Sequence, residues 1–461
     1  MHASSRDAET ALERLAQWAA ALQYADIPKR ARYMATRCIV DTVAVGLAGA
    51  TQSVSRTLRE TISKEAASGP ATVFGSTESL QPAGAAFANA AAAHVLDYDD
   101  TCYDGILHAS CVVLPAALAC AEESDLSGAD FFASYVAGAE VTYALGRALT
   151  DIFWKGWWTT ATLGSIGAAA AASRALGLDA VRTAHALSLA ATFAFGIRTL
   201  LGTEANPAGA GLASQLGVQA ALFARNGIKG PLDALESSRG LAQVFNEGRF
   251  HGAVLNELGE RYALVDSEIS FKQFPACSGT QAATQAVVSI VEENEFRSKD
   301  IKKVVCRVTP LVATNLTYPS PRSLTEAQFS LPFAIGCVLR FGRFSVSQLS
   351  ESVLGDAALR AEMAKVEMVR DDGLVAPEDL AHFPEAAEVT VQAFDGRKIT
   401  KLISAATGMP SAPMPEEVFE RKFIDCTTQL LPEEHARRLL YELQTLDRRP
   451  SIRGLLPTVS A

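Results

Sequence analysis

Alanine is concentrated in short runs, and this feature restricts the possible folds of the 461-residue chain more than any other. The densest runs are Ala85–Ala93, Ala116–Ala121 and Ala168–Ala172. Small side chains let helices approach each other closely. The runs therefore predict core helices that pack tightly inside a bundle.

Helical spacing extends over residues 1–265, which we predict to be helical throughout. Leu12, Leu15, Ala19 and Leu22 recur at this spacing, and Asp7 could cap that helix. A second helix is predicted from Lys29 to Leu47.

The pattern changes after residue 268. Lys303–Thr309 is short and β-branched, as in a strand, and Glu388–Ile403 alternates around Asp395-Gly396, as in a hairpin. Helical stretches are predicted at Ser330–Arg340 and Val346–Gly355. We therefore predict a smaller α+β domain over residues 268–398.

The C-terminal segment is helical again, over Pro415–Leu431 and Pro432–Leu446, and we expect it to pack back onto the bundle. Residues 448–461 are expected to be loosely ordered. The predicted protein is thus mainly α, with one all-α domain from residues 1–267 and 399–461.

Composition excludes several classes of function. There are 41 basic and 51 acidic residues, a net charge of −10, which argues against a surface for nucleic acid or anionic membranes. The eight cysteines form no CxxC pair, so we expect buried, reduced thiols rather than a zinc site. The first residues lack the pattern of a secretory signal, and no apolar run could span a bilayer. We expect a soluble, cytoplasmic protein.

Polar residues crowd one segment between two alanine-rich helices. It contains His94, Asp97, Asp99, Asp100, Thr101, Asp104, His108 and Ser110. Burying so many titratable groups is costly unless they pair or face a cavity, where acid–base chemistry is often found. Two other interpretations fit the composition: an acidic loop facing solvent, and a Mg²⁺ site like the aspartate-rich motif of helical terpene cyclases.

The chain resembles the MmgE/PrpD family, whose members include 2-methylcitrate dehydratase, cis-aconitate decarboxylase and iminodisuccinate epimerase. The resemblance is clearest in Asn89–Thr101, which is similar to the family block NAxxAHxLDxDDT. Further similar blocks are His108–Glu122, Thr160–Ala170, Gly230–Glu236, Phe271–Cys277 and Ala327–Pro332.

The resemblance implies an all-α domain with an α+β lid, a homodimer, and no organic cofactor or metal. It implies a site of Asp97, Thr101 and His108, with Lys272 from the lid side. His108 is expected to be the general acid and base, oriented by Asp97. Thr101 is expected to bind the substrate, and Lys272 to hold a carboxylate. Arg198 is a second candidate for a carboxylate contact, or a structural arginine at a helix end.

Several positions depart from the family pattern. Trp158 and Gly209 replace histidines, Asn206 replaces a lysine, and Gln281 replaces the histidine of a Thr-His pair. One extra residue separates Thr101 from His108. Fewer cations and a large apolar indole predict a substrate with fewer carboxylates or more hydrocarbon than methylcitrate or cis-aconitate. Trp158, Asn206 and Gln281 are the expected substrate contacts.

The resemblance implies a lyase that dehydrates or decarboxylates a citrate-like or aconitate-like acid, or, given these departures, an alkyl-substituted analogue. An isomerase or epimerase would need the same proton abstraction, so the sequence does not separate the two. A non-catalytic binding protein is a third possibility. The expected partner is a small carboxylic acid.

Overall fold

Alanine-rich helices form the centre of the computed structural model, which describes residues 9–266 and 269–461. The longer helices of the bundle are Ala11–Ala21, Lys29–Gly49, Ser53–Glu65, Pro82–His94, Ser110–Ser124, Gly128–Ala148, Gly164–Ala175, Ala180–Thr192 and Ala205–Arg225. Shorter ones are Thr159–Thr162, Leu241–Asn246 and Ala263–Asp266. The first begins at Thr10, whose side chain accepts a hydrogen bond from the Glu13 N–H. The predicted cap, Asp7, lies outside the described residues.

Small residues set the distance between the central helices. Helices Gly128–Ala148 and Gly164–Ala175 meet at Gly138 and Gly167, where a Cβ on either residue would lie 2.6 Å from the carbonyl oxygen of the other. No larger residue fits this crossing, since Cβ atoms do not approach backbone oxygens so closely. The prediction of closely packed core helices is confirmed.

Residues 9–265 also contain short strands, so the prediction of helices throughout was wrong. Strand β1 (Ser68–Thr72) pairs with β2 (Ser79–Leu80), and Gly69 and Pro70 explain why β1 is not helical. Strand β3 (Thr101–Cys102) pairs antiparallel with β4 (Ile269–Ser270). This second pairing joins the polar segment to the residues just before Lys272.

A four-stranded sheet dominates residues 269–403, which we call the α+β region. Its strands are β5 (Ile301–Val308), β6 (Val366–Arg370), β7 (Ala387–Ala393) and β8 (Lys398–Ile403), in the order β6-β5-β7-β8. Strands β5 and β6 are parallel, and the other pairs are antiparallel. The predicted strand and hairpin are confirmed. The sheet continues through β8, beyond the predicted domain boundary at 398.

Helices cover one face of this sheet. Those of the region are Gln281–Glu293, Pro310–Asn315, Leu324–Ala327, Leu331–Phe341, Glu351–Leu354 and Ala357–Met363. The helix predicted over Val346–Gly355 is divided into a 3-10 turn and a short helix, because Ser350 caps a new helix there.

The C-terminal helices Glu416–Thr427 and Glu433–Gln444 return to the bundle, as predicted. The expectation that residues 448–461 are loosely ordered was wrong. Ile452 is fully buried, and its N–H donates to the Leu126 carbonyl at 2.8 Å. Apolar side chains in this last stretch hold it against the bundle.

All eight cysteines are buried and unpaired, which agrees with the prediction of reduced thiols. Over residues 9–266 and 269–461, no single helix has the length and apolar character needed to cross a membrane. One bent helix pair, Lys29–Gly49 with Ser53–Glu65, meets that test by length and composition alone.

A buried ion pair joins the C-terminal segment to the bundle. Lys422 Nζ lies 2.7 Å from Asp41 Oδ1, with side chains 4% and 1% exposed. Replacing Lys422 by Met would leave the Asp41 carboxylate buried without a partner, so we expect a loss of about 3–5 kcal/mol in the free energy of unfolding. Urea denaturation followed by circular dichroism measures it.

Arg437→Ala is the matched control, because the Arg437–Glu433 pair is exposed and should contribute less than about 0.5 kcal/mol. Equal effects of the two substitutions would contradict this account of the Lys422–Asp41 pair.

Candidate active site

A small cavity lies between the polar segment and the α+β region; we call it the catalytic cavity. Its volume is about 40 Å³. It is lined by His94, Asp97, Thr101, Ile106, His108, Phe153, Trp158, Leu201, Asn206, Cys277, Ser278, Asn315, Phe329 and Glu385. The predicted residues Asp97, Thr101, His108, Trp158 and Asn206 thus meet around one space, and the polar segment is not a solvent-facing loop.

Lys272 forms an ion pair with Asp97 inside the protein. Its Nζ donates to both Asp97 Oδ1 and the Asp97 carbonyl, each at 2.6 Å, and its side chain is 1% exposed. Burial alone would lower the pKa of Lys272, but Asp97 and Asp99 raise it above its ordinary value, so the side chain stays charged. Asp97 has φ +45°, a conformation that L residues seldom adopt, and this double contact stabilises it. Lys272 therefore positions Asp97, and it does not border the cavity.

Two histidines share the carboxylate of Asp99. Asp99 Oδ2 lies 3.0 Å from Nδ1 of His94 and 3.3 Å from Nδ1 of His108. Burial alone would raise the pKa of Asp99, but the two imidazoles hold it well below its usual range. Asp99, and not Asp97 as predicted, is the carboxylate that orients His108.

The hydrogen bonds also assign the proton on each imidazole. His108 Nδ1 lies 2.8 Å from the Asp100 carbonyl oxygen, which can only accept, so Nδ1 carries the proton and Nε2 remains for chemistry. Thr101 Oγ1 is 3.5 Å from the same nitrogen. The His94 Nδ1–H likewise faces Asp99, and His94 Nε2 is buried with no hydrogen-bond partner among the described residues. Burial opposes protonation of His94, but Asp99 and Asp97 raise its pKa overall.

Asp100 supports the site from behind. Its carboxylate accepts a hydrogen bond from Ser110, which also contacts the Tyr135 hydroxyl at 2.7 Å. Burial raises the pKa of Asp100 to about 7, with the neighbouring Asp41 and Asp99 adding to the shift. Its carbonyl fixes the His108 tautomer, so this residue acts through its backbone.

A buried carboxyl from the α+β region faces the histidines across the cavity. Glu385 accepts hydrogen bonds from Ser278 Oγ at 2.6 Å and from Tyr103 Oη at 2.5 Å. Burial raises the pKa of Glu385. Because Tyr103 belongs to the polar segment, this contact also bridges the two parts of the molecule.

His94, Asp99 and Glu385 are therefore site residues that the prediction did not select. His94 and Asp99 lie within the quoted family block, so their position beside Asp97 was a usable signal. Glu385 lies in the sequence Phe-Pro-Glu-Ala, which carries no signal of a functional site.

Two of the departures from the family pattern are structurally coupled. The indole of Trp158 is 3% exposed and lies 5.4 Å from the His94 ring, centroid to centroid. A Cβ at position 209 would lie 2.9 Å from this indole, so Gly209 leaves room for Trp158. Asn206 is 4% exposed, and its Oδ1 has no hydrogen-bond partner among the described residues.

Two predicted substrate contacts lie outside the cavity wall. Arg198 stacks on the Phe153 ring at 3.9 Å and donates to Asn315 Oδ1 at 3.0 Å, so it supports two wall residues from outside. Gln281 binds the backbone of residues 273–276 through both ends of its amide. It fixes the loop after Lys272, and its hydrogen-bonding groups are occupied.

Four residues of the site could together offer ligand atoms to a metal ion. They are His94, Asp97, Asp99 and His108, with one atom from each within 4.8 Å of the others. The donor set suits a transition metal better than Mg²⁺. The Lys272 ammonium, however, already supplies a cation to Asp97. One of the four candidate ligands is thus already paired with a cation of the protein itself.

Fold and site define a mainly α protein with a histidine–carboxylate site where its α+β region meets the bundle. The chain belongs to the MmgE/PrpD family: it matches the MmgE/PrpD N-terminal domain over residues 13–252 and the MmgE/PrpD C-terminal domain over residues 274–448. The predicted family is confirmed.

Named relatives are similar at low identity. The chain is 28% identical over 426 residues to a cis-aconitate decarboxylase of Homo sapiens, covering 89% of this chain and 86% of that protein. It is 24% identical over 482 residues to a cis-aconitate decarboxylase-like protein, oryM, of Aspergillus oryzae, covering 97% and 96%. It is also 24% identical over 472 residues to a cis-aconitate decarboxylase of Aspergillus terreus, covering 96% and 94%.

The packing of Trp158 against Gly209 predicts a dependence between the two positions. Gly209→Ala should cost about 1–3 kcal/mol of stability, because its Cβ would press on the indole. In a Trp158→His background this cost should disappear, and Ala should gain up to about 1 kcal/mol from helix propensity. Urea denaturation of both single variants and the double variant measures the coupling. An equal cost in both backgrounds would contradict it.

Proposed function

We propose that the protein is a lyase that decarboxylates or dehydrates an aconitate-like or citrate-like acid by proton transfer, without a cofactor. The observation that carries the proposal is the pair of imidazoles that share Asp99 at the wall of the catalytic cavity. Each has its Nδ1 occupied, so each keeps Nε2 for a proton. Such groups are suited to general acid and base catalysis near neutral pH.

In a decarboxylation, the bond between a carboxylate carbon and the adjacent carbon breaks, and CO₂ leaves. The electron pair moves through the neighbouring double bond to another carbon, which takes the proton from Nε2 of protonated His108. The neutral His108 then regains a proton from solvent. The rings of His94 and His108 are 5.0 Å apart, so a protonated His94 could stabilise the negative charge that develops.

A dehydration can use the same groups. One imidazole removes the proton next to a carboxylate, and a proton from the other imidazole or from Glu385 leaves with the hydroxide as water. The names of the relatives favour decarboxylation, while the site serves both reactions.

The substrate should carry fewer carboxylates than methylcitrate or aconitate, or more hydrocarbon. Among the described residues, no lysine or arginine lines the catalytic cavity. Trp158 adds an apolar wall, and Asn206 contributes a neutral amide. An alkyl-substituted analogue therefore fits this wall better than a compact polyanion. We expect a homodimer, as the resemblance implies, and a cytoplasmic location, as the buried reduced thiols indicate.

Removing the imidazole of His108 tests its assignment as the catalytic acid and base. With cis-aconitate, 2-methylcitrate and alkyl analogues as candidate substrates, His108→Ala should lower kcat by about 10²–10⁴, because the proton donor is lost. His435→Ala is the control, since His435 is exposed on a C-terminal helix and should leave kcat unchanged. An unaffected His108→Ala enzyme would refute the role of His108.

Proton NMR in D₂O separates the lyase from the isomerase alternative. A lyase yields a product that has lost CO₂ or water, whereas an epimerase exchanges the proton next to the carboxylate without that loss. Absence of turnover, with ligand binding retained, would instead favour the non-catalytic alternative.

The Lys272–Asp97 ion pair predicts indifference to chelators. Because the Lys272 ammonium neutralises Asp97, activity should persist after dialysis against EDTA and should not rise when Mg²⁺, Mn²⁺ or Zn²⁺ is added. Loss of activity on chelation, with recovery on adding one of these ions, would assign the four-residue cluster to a metal instead.

A further inference from the structure

A second, larger cavity adjoins the catalytic cavity; we call it the outer cavity. Its volume is about 360 Å³, and its wall is mostly apolar. Its wall residues come from both parts of the molecule. The bundle contributes Tyr103, Asp104, Ile106 and Trp154, and the α+β region contributes Thr309, Pro310, Leu311, Leu380, Ala381 and Pro384. Trp154, one of its wall residues, is 56% exposed.

One layer of side chains separates the two cavities. Ile106 borders both. Pro384 borders the outer cavity and the next residue, Glu385, borders the catalytic one, while Tyr103 spans the layer through its hydrogen bond to Glu385. Ile106 has φ +52°, an unusual backbone for a β-branched residue, so this wall is held in a strained conformation.

The two cavities differ in volume, and this difference limits what each can bind. A volume of about 40 Å³ has room for only about three water molecules, whereas binding pockets for small molecules measure about 300–1,000 Å³. The catalytic cavity therefore has no room for an alkyl chain in addition to the reacting carbons, and such a chain must lie outside it. The outer cavity is the adjoining space of sufficient size.

Chemistry restricts what the outer cavity can hold. Among the described residues, no basic side chain lines it, and its charged wall residue is the carboxylate of Asp104. Leu311, Leu380, Ala381 and Pro384 supply hydrocarbon surface. A carboxylate would find no cation in this wall, where Asp104 already lies 4.0 Å from Arg147, while an alkyl chain would be favoured.

We propose that the outer cavity binds an alkyl chain of the substrate, whose carboxylated carbons lie in the catalytic cavity beside His94 and His108. The chain crosses the wall between Ile106 and the Tyr103–Glu385 contact. This inference rests on the proposed function, because it takes the catalytic cavity to be where the acid reacts.

The proposal is tested with cis-aconitate and analogues bearing ethyl, butyl and hexyl chains. Each buried methylene should raise kcat/KM about threefold to fourfold until the outer cavity is filled. Leu380→Asn puts a polar group into the cavity wall, and Ala381→Phe occupies its space. Either variant should abolish the gain with chain length and leave turnover of cis-aconitate unchanged.

Leu374→Asn is the matched control, a partly buried leucine of the α+β region that lines neither cavity, and it should keep the full chain-length dependence. Binding gives a second readout that needs no turnover. Calorimetry should show that saturated alkyl tricarboxylates bind the wild type with an affinity that rises with chain length. In Leu380→Asn the affinity should not rise with chain length.

Two results would overturn the proposal. One is a wild-type enzyme whose kcat/KM and affinity do not rise with chain length. The other is a rise of kcat/KM and affinity with chain length that persists in both Leu380→Asn and Ala381→Phe. If these variants instead change the oligomeric state and chain length has no effect, the cavity is a contact with a second copy of the chain. Failure of the proposed function gives a distinct pattern, in which chain-dependent binding persists and no analogue is turned over.

Discussion

The site depends on two buried lysines inside an alanine-rich bundle, one paired with an aspartate of the polar segment and the other with an aspartate of a neighbouring helix. Lys272 reaches Asp97 from the α+β region, and Lys422 reaches Asp41 and the Tyr98 carbonyl from the C-terminal segment. Carboxylates this deeply buried would otherwise be protonated or would destabilise the fold. The two cations come from parts of the chain far from the polar segment, so folding of the whole protein is required to form the site.

This arrangement explains the division of roles around the histidines. Lys272 is fully engaged by Asp97, and Asp99 is left to orient both His94 and His108. Asp100 contributes its carbonyl to the His108 tautomer, while burial raises the pKa of its carboxyl to about 7. The aspartates of the polar segment thus hold a lysine, two imidazoles and a hydroxyl.

Trp158 and Gly209 are structurally coupled at the cavity wall. The indole of Trp158 occupies space that a side chain at position 209 would need, so a histidine at 209 is incompatible with it. Together with Asn206, these residues give the catalytic cavity an apolar and neutral wall, continuous through Ile106 with the outer cavity. Both features favour a substrate in which hydrocarbon takes the place of charge.

The sequence alone determined the family, the alanine-rich helices, the β7–β8 hairpin and the crowding of acids and histidines near residues 94–110. These features are local: they depend on spacing, side-chain size and turn residues within a few positions of one another. It did not determine that Asp99 rather than Asp97 orients His108, that Gln281 and Arg198 face away from the cavity, or that Glu385 faces into it. Those outcomes depend on which of several adjacent carboxylates meets a partner brought from another part of the chain, and only the tertiary structure, by pairing β3 with β4 and placing Lys272 beside Asp97, decided them.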